Sequence, residues 1–184
     1  MKIKLKDKIF DYRFAKKEDA DIINKFDKRI NSDKEDSKYY LRHNKKKILK
    51  NISEGDKLYL VFYNHKLVAW ATLFLIIKEK HLPDWNLSIK KSKKAGVLAR
   101  ASVSKKFRGY GLQRFLIKKR LEYLKKKNKP LAFVGVDPRN KHSLKNIKEF
   151  GFKYFKTVVI SNEKIVNQKK VILKESVDNY RLKL

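Results

Sequence analysis

The sequence predicts an α/β (α+β) fold, a mixed sheet with helices packed against it. Three observations carry the prediction. Short apolar runs, alternating or continuous, are interleaved with segments whose apolar residues recur at helical spacing. Only 6 glycines and 3 prolines occur in 184 residues, so most of the chain is expected in regular structure. The element order reads strand, two helices, three strands, helix, strand, helix, two strands, the pattern of layered folds that combine both types.

Phe10, Tyr12 and Phe14 alternate with polar residues and predict the first strand. Ala20, Ile23, Phe26 and Ile30 then recur with the period of a helix. A second helical stretch runs from about 37 to 52, with Tyr40, Leu41, Ile48, Leu49 and Ile52 on or near its apolar face. Residues 57–63 and 67–77 are β-rich. Asn64-His65 between them suits a tight hairpin turn, because Asn tolerates positive φ. Residues 78–94 are polar, carry Pro83 and Trp85 and end in four lysines, which predicts a long loop of the kind that often carries function. Residues 96–103 form the next strand. Residues 113–127 form a long amphipathic helix, with Leu112, Phe115, Leu116, Leu121 and Leu124 on its inner side. The continuous apolar run 131–136 reads as a strand buried on both faces. Asn140 suits the start of another helix and Gly151 the position just past its end. Residues 152–160 and 170–174 are expected as two final strands joined by a polar turn.

The length suits one domain, expected over 1–184, with enough chain to bury a core without staples. The absence of cysteine removes disulfides, thiolate metal sites and cysteine nucleophiles, and it suits a reducing interior. The N-terminus alternates lysine with apolar residues and has no signal-like apolar region, and no apolar run is long enough to span a bilayer. A cytoplasmic location without membrane contact is the expectation. The formal charge is +30. Such a charge fits a nucleic-acid partner. Lysine outnumbers arginine by 40 to 9, however, and the lysines are spread along the whole chain. Readers of sequence lean on arginine. Solvated background charge is therefore the default, with nucleic acid as the rival partner.

The most specific signal is the turn between the strand ending at Val103 and the helix that follows. Lys106-Phe107-Arg108-Gly109-Tyr110-Gly111-Leu112 joins a strand to a helix N-terminus. Two glycines allow a tight turn and close approach of a ligand to the backbone. The unpaired N–H groups of the helix start then face that ligand, which makes the site suited to a phosphate or pyrophosphate. A second motif is Val136-Asp137-Pro138-Arg139-Asn140, with Ser143 three residues on and Phe150-Gly151-Phe152 closing it.

Together these motifs resemble the GCN5-related N-acetyltransferase (GNAT) family. The glycine turn matches the family's pyrophosphate loop at both glycines, with Lys106 where the family has Gln or Arg. Val103 stands five residues ahead of Arg108, as in the family. The second motif matches the family's Val-x-Pro-x-Asn pattern and its eleven-residue spacing from Asn to Gly. Leu112-Gln113 and Asn146 are similar to a bacterial subset. The resemblance implies a mixed, mostly antiparallel central sheet of about seven strands with helices on both faces. It implies acetyl-coenzyme A as donor, no metal, and an amine acceptor on a small molecule or a protein. The protein would act as a monomer or a homodimer. An acceptor on RNA, or a module that has lost catalysis, is the alternative.

On the same resemblance, amides from Lys106 through Phe107, Arg108, Gly109, Tyr110 and Gly111 to Leu112 would cradle the pyrophosphate. Backbone groups of Ala101, Ser102 and Val103 would pair with the pantetheine arm. The Arg108 side chain would either add charge there or hold the turn. Asn140 and Ser143 would lie near the thioester, or would serve as a cap and a local turn bond. The glutamate that many members carry on the strand at 98–102 is missing. The tyrosine expected seven residues after Asn140 is Ile147. Asp137, His142, Tyr110 and Tyr154 are candidate substitutes, each with a simpler reading as a turn, surface or packing residue. The acceptor site is expected among the two early helices, 78–94 and the final hairpin, with Trp70 and Trp85 as candidate lining residues. No catalytic side chain is assigned.

Overall fold

A computed structural model of the chain describes residues 1–31, 44–166 and 169–184, with backbone alone at 31, 160–166 and 169–175. Eight strands form one sheet: β1 (Lys2–Leu5), β2 (Lys8–Phe14), β3 (Lys57–Tyr63), β4 (Lys66–Phe74), β5 (Ala95–Val103), β6 (Leu131–Val136), β7 (Lys153–Val166) and β8 (Lys169–Lys183). Their order is β1-β2-β3-β4-β5-β6-β8-β7, and every neighbouring pair is antiparallel except β5–β6. The longer helices are α1 (Ala20–Asn31), α2 (Lys45–Ser53), α5 (Leu112–Lys126) and α6 (Lys141–Glu149). The short helices α3 (Leu82–Trp85) and α4 (Ile89–Ser92) lie between β4 and β5.

The mixed, mostly antiparallel sheet agrees with the fold class expected, but it has eight strands where about seven were expected. The extra one is β1, paired with β2 through Lys2↔Asp11 to Leu5↔Lys8. Its four residues offer too short an alternation to register as a period. Residues 78–94 are not a plain loop: a 3-10 turn, α3 and α4 order them, started by Pro83 in the first turn of α3 and by Ser88 capping α4. The strand expected over 67–77 ends at Phe74. The final strands are longer than expected, and the polar 161–166 segment is strand rather than turn. The early part of the helix expected over 37–52, with Tyr40 and Leu41, lies outside the described residues. The hairpin turn at Asn64-His65 has positive φ at both residues, 46° and 60°, which matches the twist of the flanking strands.

Alternation along the strands separates two packed faces. Leu58, Leu60 and Trp70 face α1 and α2, meeting Ile23, Phe26 and Ile48. Tyr59, Val61 and Ala71 face α5, meeting Phe115 and Leu116. Leu98, Val134 and Val136 continue that second layer against Ile117, Leu121, Leu124 and the α6 residue Ile147. Leu82 and Trp85 cover Val97 and Phe133 on the α1/α2 side. A Cβ at Gly96 would fall 2.4 Å from Leu124 Cδ2, so the missing side chain lets α5 settle onto β5.

Two irregularities shape β5. A bulge pairs Ala71 with Ala101 and Thr72 with Ala99, which leaves Arg100 as the extra residue. On the other edge, β5 pairs with β6 only at Ala95↔Leu131, Gly96↔Ala132 and Val97↔Phe133. Beyond Val97 the two strands separate, while β6 keeps its pairing with β8 up to Val136↔Asp178.

Asp56, at the entry to β3, is buried and accepts the Leu75 N–H at 3.2 Å. Burial pushes its carboxyl up to about 6. A raised carboxyl contributes stability that is fully present below the unfolded value near 4 and is lost as pH rises through about 6. Asp56→Asn keeps the acceptor and removes the titration. The variant is expected to gain on the order of 1 kcal/mol over the native protein at pH 8, after allowance for solvent screening, and to match it below pH 4. Urea denaturation at the two pH values checks this.

Candidate cofactor and acceptor site

The turn from β5 to α5 begins with a 3-10 segment, Lys105–Phe107. In it Phe107 N–H donates to Ser104 O (2.8 Å) and Arg108 N–H to Lys105 O (3.2 Å). Gly109 and Gly111 follow with φ of 84° and 81°. A Cβ at either would meet no heavy atom within 4 Å, so backbone conformation rather than packing demands glycine there. Gly111 caps α5, and its carbonyl accepts the Phe115 N–H at 2.9 Å. The first amides of a helix have no carbonyl one turn behind them, and the positive end of the helix dipole lies with them. Phe107 and Tyr110 anchor the underside of the turn on Phe10, with centroids at 6.1 Å each. Lys6 and Lys8 lie over the Tyr110 ring at 5.8 and 5.3 Å. Tyr110 is therefore a packing residue.

The unpaired edge of β5 runs from 98 to 103 beside this turn. Ala99, Arg100, Ala101 and Val103 are partly exposed although β5 is a central strand, because β6 has moved away. Leu98 and Ser102 are the buried members. After β6, Asn140 Oδ1 accepts the Ser143 N–H at 3.1 Å and caps α6. Gln113, in the first turn of α5, donates to Ser143 Oγ (3.1 Å) and accepts from Asn146 (2.7 Å). These bonds fix the spacing between α5 and α6. Asp137 is bound by its own turn: Arg139 contacts it through the backbone N–H (2.8 Å), Nε (2.9 Å) and Nη2 (2.6 Å). The Arg139 guanidinium holds the carboxyl below its ordinary range, which makes Asp137 a turn residue and a poor base.

On the opposite face, Trp70 is fully buried and donates from Nε1 to Asp27 Oδ1 at 2.9 Å. Arg100 Nη2 stands 3.0 Å from Asp27 Oδ2, and its guanidinium lies over the Trp70 ring at 5.5 Å. Both side chains of the ion pair are nearly inaccessible. Burial, and then the nearby Arg100 and Lys80, hold the Lys47 amine below its ordinary value. Trp85 packs on Phe133 at 5.6 Å.

A family model for the Acetyltransferase (GNAT) family matches residues 21–152. The chain belongs to the GNAT family. Solved structures agree on the fold of this GNAT chain. An N-acetyltransferase from Staphylococcus aureus Mu50 superposes with a TM-score of 0.69 at 17% identity, over 95% of this chain and 98% of that one. The ribosomal-protein-S18-alanine N-acetyltransferase of Escherichia coli gives 0.67 at 14%, over 95% and 93%. The ribosomal-protein-alanine N-acetyltransferase of Brucella melitensis gives 0.67 at 12%, over 94% and 99%. No curated protein matches the sequence significantly.

Within the GNAT frame, the structure places Ile147, at the position of the missing tyrosine, and the candidate substitutes Tyr154 and His142. Ile147 is buried in the α5–α6 layer. Tyr154 is exposed on β7 and shares a hydrogen bond with Thr157 at 2.9 Å. His142 is exposed on α6. The residue that sequence reasoning missed is Asp27. Its signal was available: it stands four residues after Ile23 and three before Ile30, an acid on the apolar face of a helix. Such a residue needs a buried partner.

Proposed function

We propose that the chain transfers an acetyl group from acetyl-coenzyme A to an amine of a small molecule or a protein. The observation that carries this reading is the parting of β5 from β6 beyond Val97, next to a glycine turn at a helix N-terminus. The residues fit the donor. The space beside Gly109 and Gly111 is open, so a phosphate can approach the backbone. The Phe107 and Arg108 N–H groups are used within the turn, so in this reading the phosphate is taken up chiefly by the amides from Gly109 onward. Lys105, Lys106 and Arg108 supply positive charge around it. The open edge at Ala101–Val103 offers backbone groups to the pantetheine amides as a neighbouring strand would. The donor supplies an acetyl thioester.

Acetyl transfer requires a neutral amine held against that thioester. Orientation between the β5 edge and the α1/α2 face supplies much of the acceleration. Two of the structural neighbours are named for alanine of ribosomal proteins, which supports an amine on a protein.

Calorimetric titration with acetyl-coenzyme A, after a high-salt wash, tests the reading. Binding with a Kd on the order of micromolar is expected, equivalent to about −8 kcal/mol. A folded sample that takes up no acetyl-coenzyme A refutes it. A screen of amine acceptors for thiol release follows from a positive result.

A further inference from the structure

Arg120 lies in the middle of α5 and is 2% exposed. Its hydrogen bonds all go to backbone carbonyls. Nε donates to Leu116 O, one turn back, at 2.9 Å. Nη1 donates to Thr72 O at 3.1 Å and to Ala99 O at 2.8 Å. Among the described residues no carboxylate pairs with it. Burial lowers its pKa to about 9, so the guanidinium remains charged at neutral pH. Tyr59 acts on it electrostatically; the Tyr59 hydroxyl is itself raised by burial and donates to Lys119 O at 3.1 Å. A buried cation held by carbonyl dipoles alone is an expensive device. What it holds is therefore informative.

Thr72 and Ala99 are register partners at the β4–β5 bulge. A bulge interrupts the ladder, and its carbonyls need donors from elsewhere. Nη1 alone reaches one carbonyl on each strand while Nε is tied to Leu116 O, so the planar guanidinium joins the helix to both strands in a fixed geometry. Ala99 also stands two residues beyond Val97, the last residue paired with β6. On the opposite face of the sheet, the bulged residue Arg100 is held by Asp27 and Trp70. The bulge is gripped from both sides at the point where β5 leaves β6.

We propose that Arg120 is a positioning residue for donor binding, which fixes the bulge and thereby holds the β5 edge at Ala101–Val103 open and in register for the pantetheine arm. The proposal rests on the acetyl-coenzyme A reading above. It assigns to the helix that follows the glycine turn a second task, about two turns further along. Arg120 touches neither donor nor acceptor; it acts through the strand.

Arg120→Met keeps the volume and removes both Nη1 bonds, and Arg120→Lys keeps the charge on a single point donor. Backbone amide exchange of the free proteins and calorimetry with acetyl-coenzyme A are the readouts. In a folded Met variant, exchange is expected to quicken selectively at 98–103, and the Kd to rise at least ~10-fold. The Lys variant should fall between, and it serves if the Met variant fails to fold. A folded variant with unchanged exchange at 98–103 overturns the proposal, whether or not the native protein binds the donor. So does faster exchange spread evenly over the sheet with the Kd unmoved, the signature of a purely structural arginine. Failure of the native protein to bind acetyl-coenzyme A overturns the functional reading instead, and the exchange readout remains decisive for the bulge.

Discussion

Gly109→Glu is expected to abolish binding of acetyl-coenzyme A while leaving the protein folded. Two effects act at this residue. With φ at 84°, any side chain strains the backbone by about 1–2 kcal/mol, felt in the free and bound protein alike. The glutamate carboxylate has open space to enter, because no heavy atom lies within 4 Å of a Cβ built there. That space is where the pyrophosphate is proposed to lie. A like charge about 4 Å away, at the effective dielectric of a protein surface, opposes binding by about 4 kcal/mol, or roughly a thousandfold. Gly109→Ala carries the strain without the charge and is expected to stay within about tenfold of the native affinity. Calorimetry on the pair separates the two effects. Native affinity in a folded glutamate variant would remove the turn from the donor site.

The second large effect is expected at Asp27. Its carboxylate accepts from Trp70 and faces Arg100 at 3.0 Å, with both charged side chains almost wholly buried. Removing one member of a buried pair costs about 3–5 kcal/mol, because the other charge stays buried. Asp27→Ala is therefore expected to lower the urea-unfolding free energy by about that amount. Asp27→Asn should lose less, since its carbonyl still accepts the Trp70 N–H. Combining Asp27→Ala with Arg100→Met should cost less than the sum of the singles, by roughly 1–3 kcal/mol. Additive losses would mean that the two side chains do not interact in solution.

The order and type of the major elements were legible because the periods are clean. Ile23, Phe26 and Ile30 follow the helix period, and 131–136 is continuously apolar. The glycine turn was legible because positive φ selects glycine so strongly. What the sequence concealed depends on contacts distant along the chain. β1 alternates over only four residues and exists through its pairing with β2. The short helix α3 settles on Phe133 and Val97, residues on later strands. Arg100 looks like a surface charge in a strand; only the bulge at Thr72 and Ala99 turns it toward Asp27. Arg120, among the lysines and arginines of α5, is likewise unremarkable until Leu116, Thr72 and Ala99 are seen around it.

The early parting of β5 and β6 has a consequence for how the molecule opens. Three register pairs join the two halves of the sheet there, against six between β6 and β8. The line between them is a seam, crossed by α5, which gives Leu112, Phe115 and Leu116 to one apolar cluster and Ile117, Leu121 and Leu124 to another. With so few backbone pairs there, strands β1–β5 and β6–β8 are held together mainly by side chains: by α5, by Leu73 and Leu98 packed with Val134 and Val136, and by Val97 packed with Phe133. A molecule lying in the seam would bridge both, and its binding free energy would be added to the work of separating them. The gap proposed to admit the donor is thus also the place where the sheet is joined by the fewest backbone pairs.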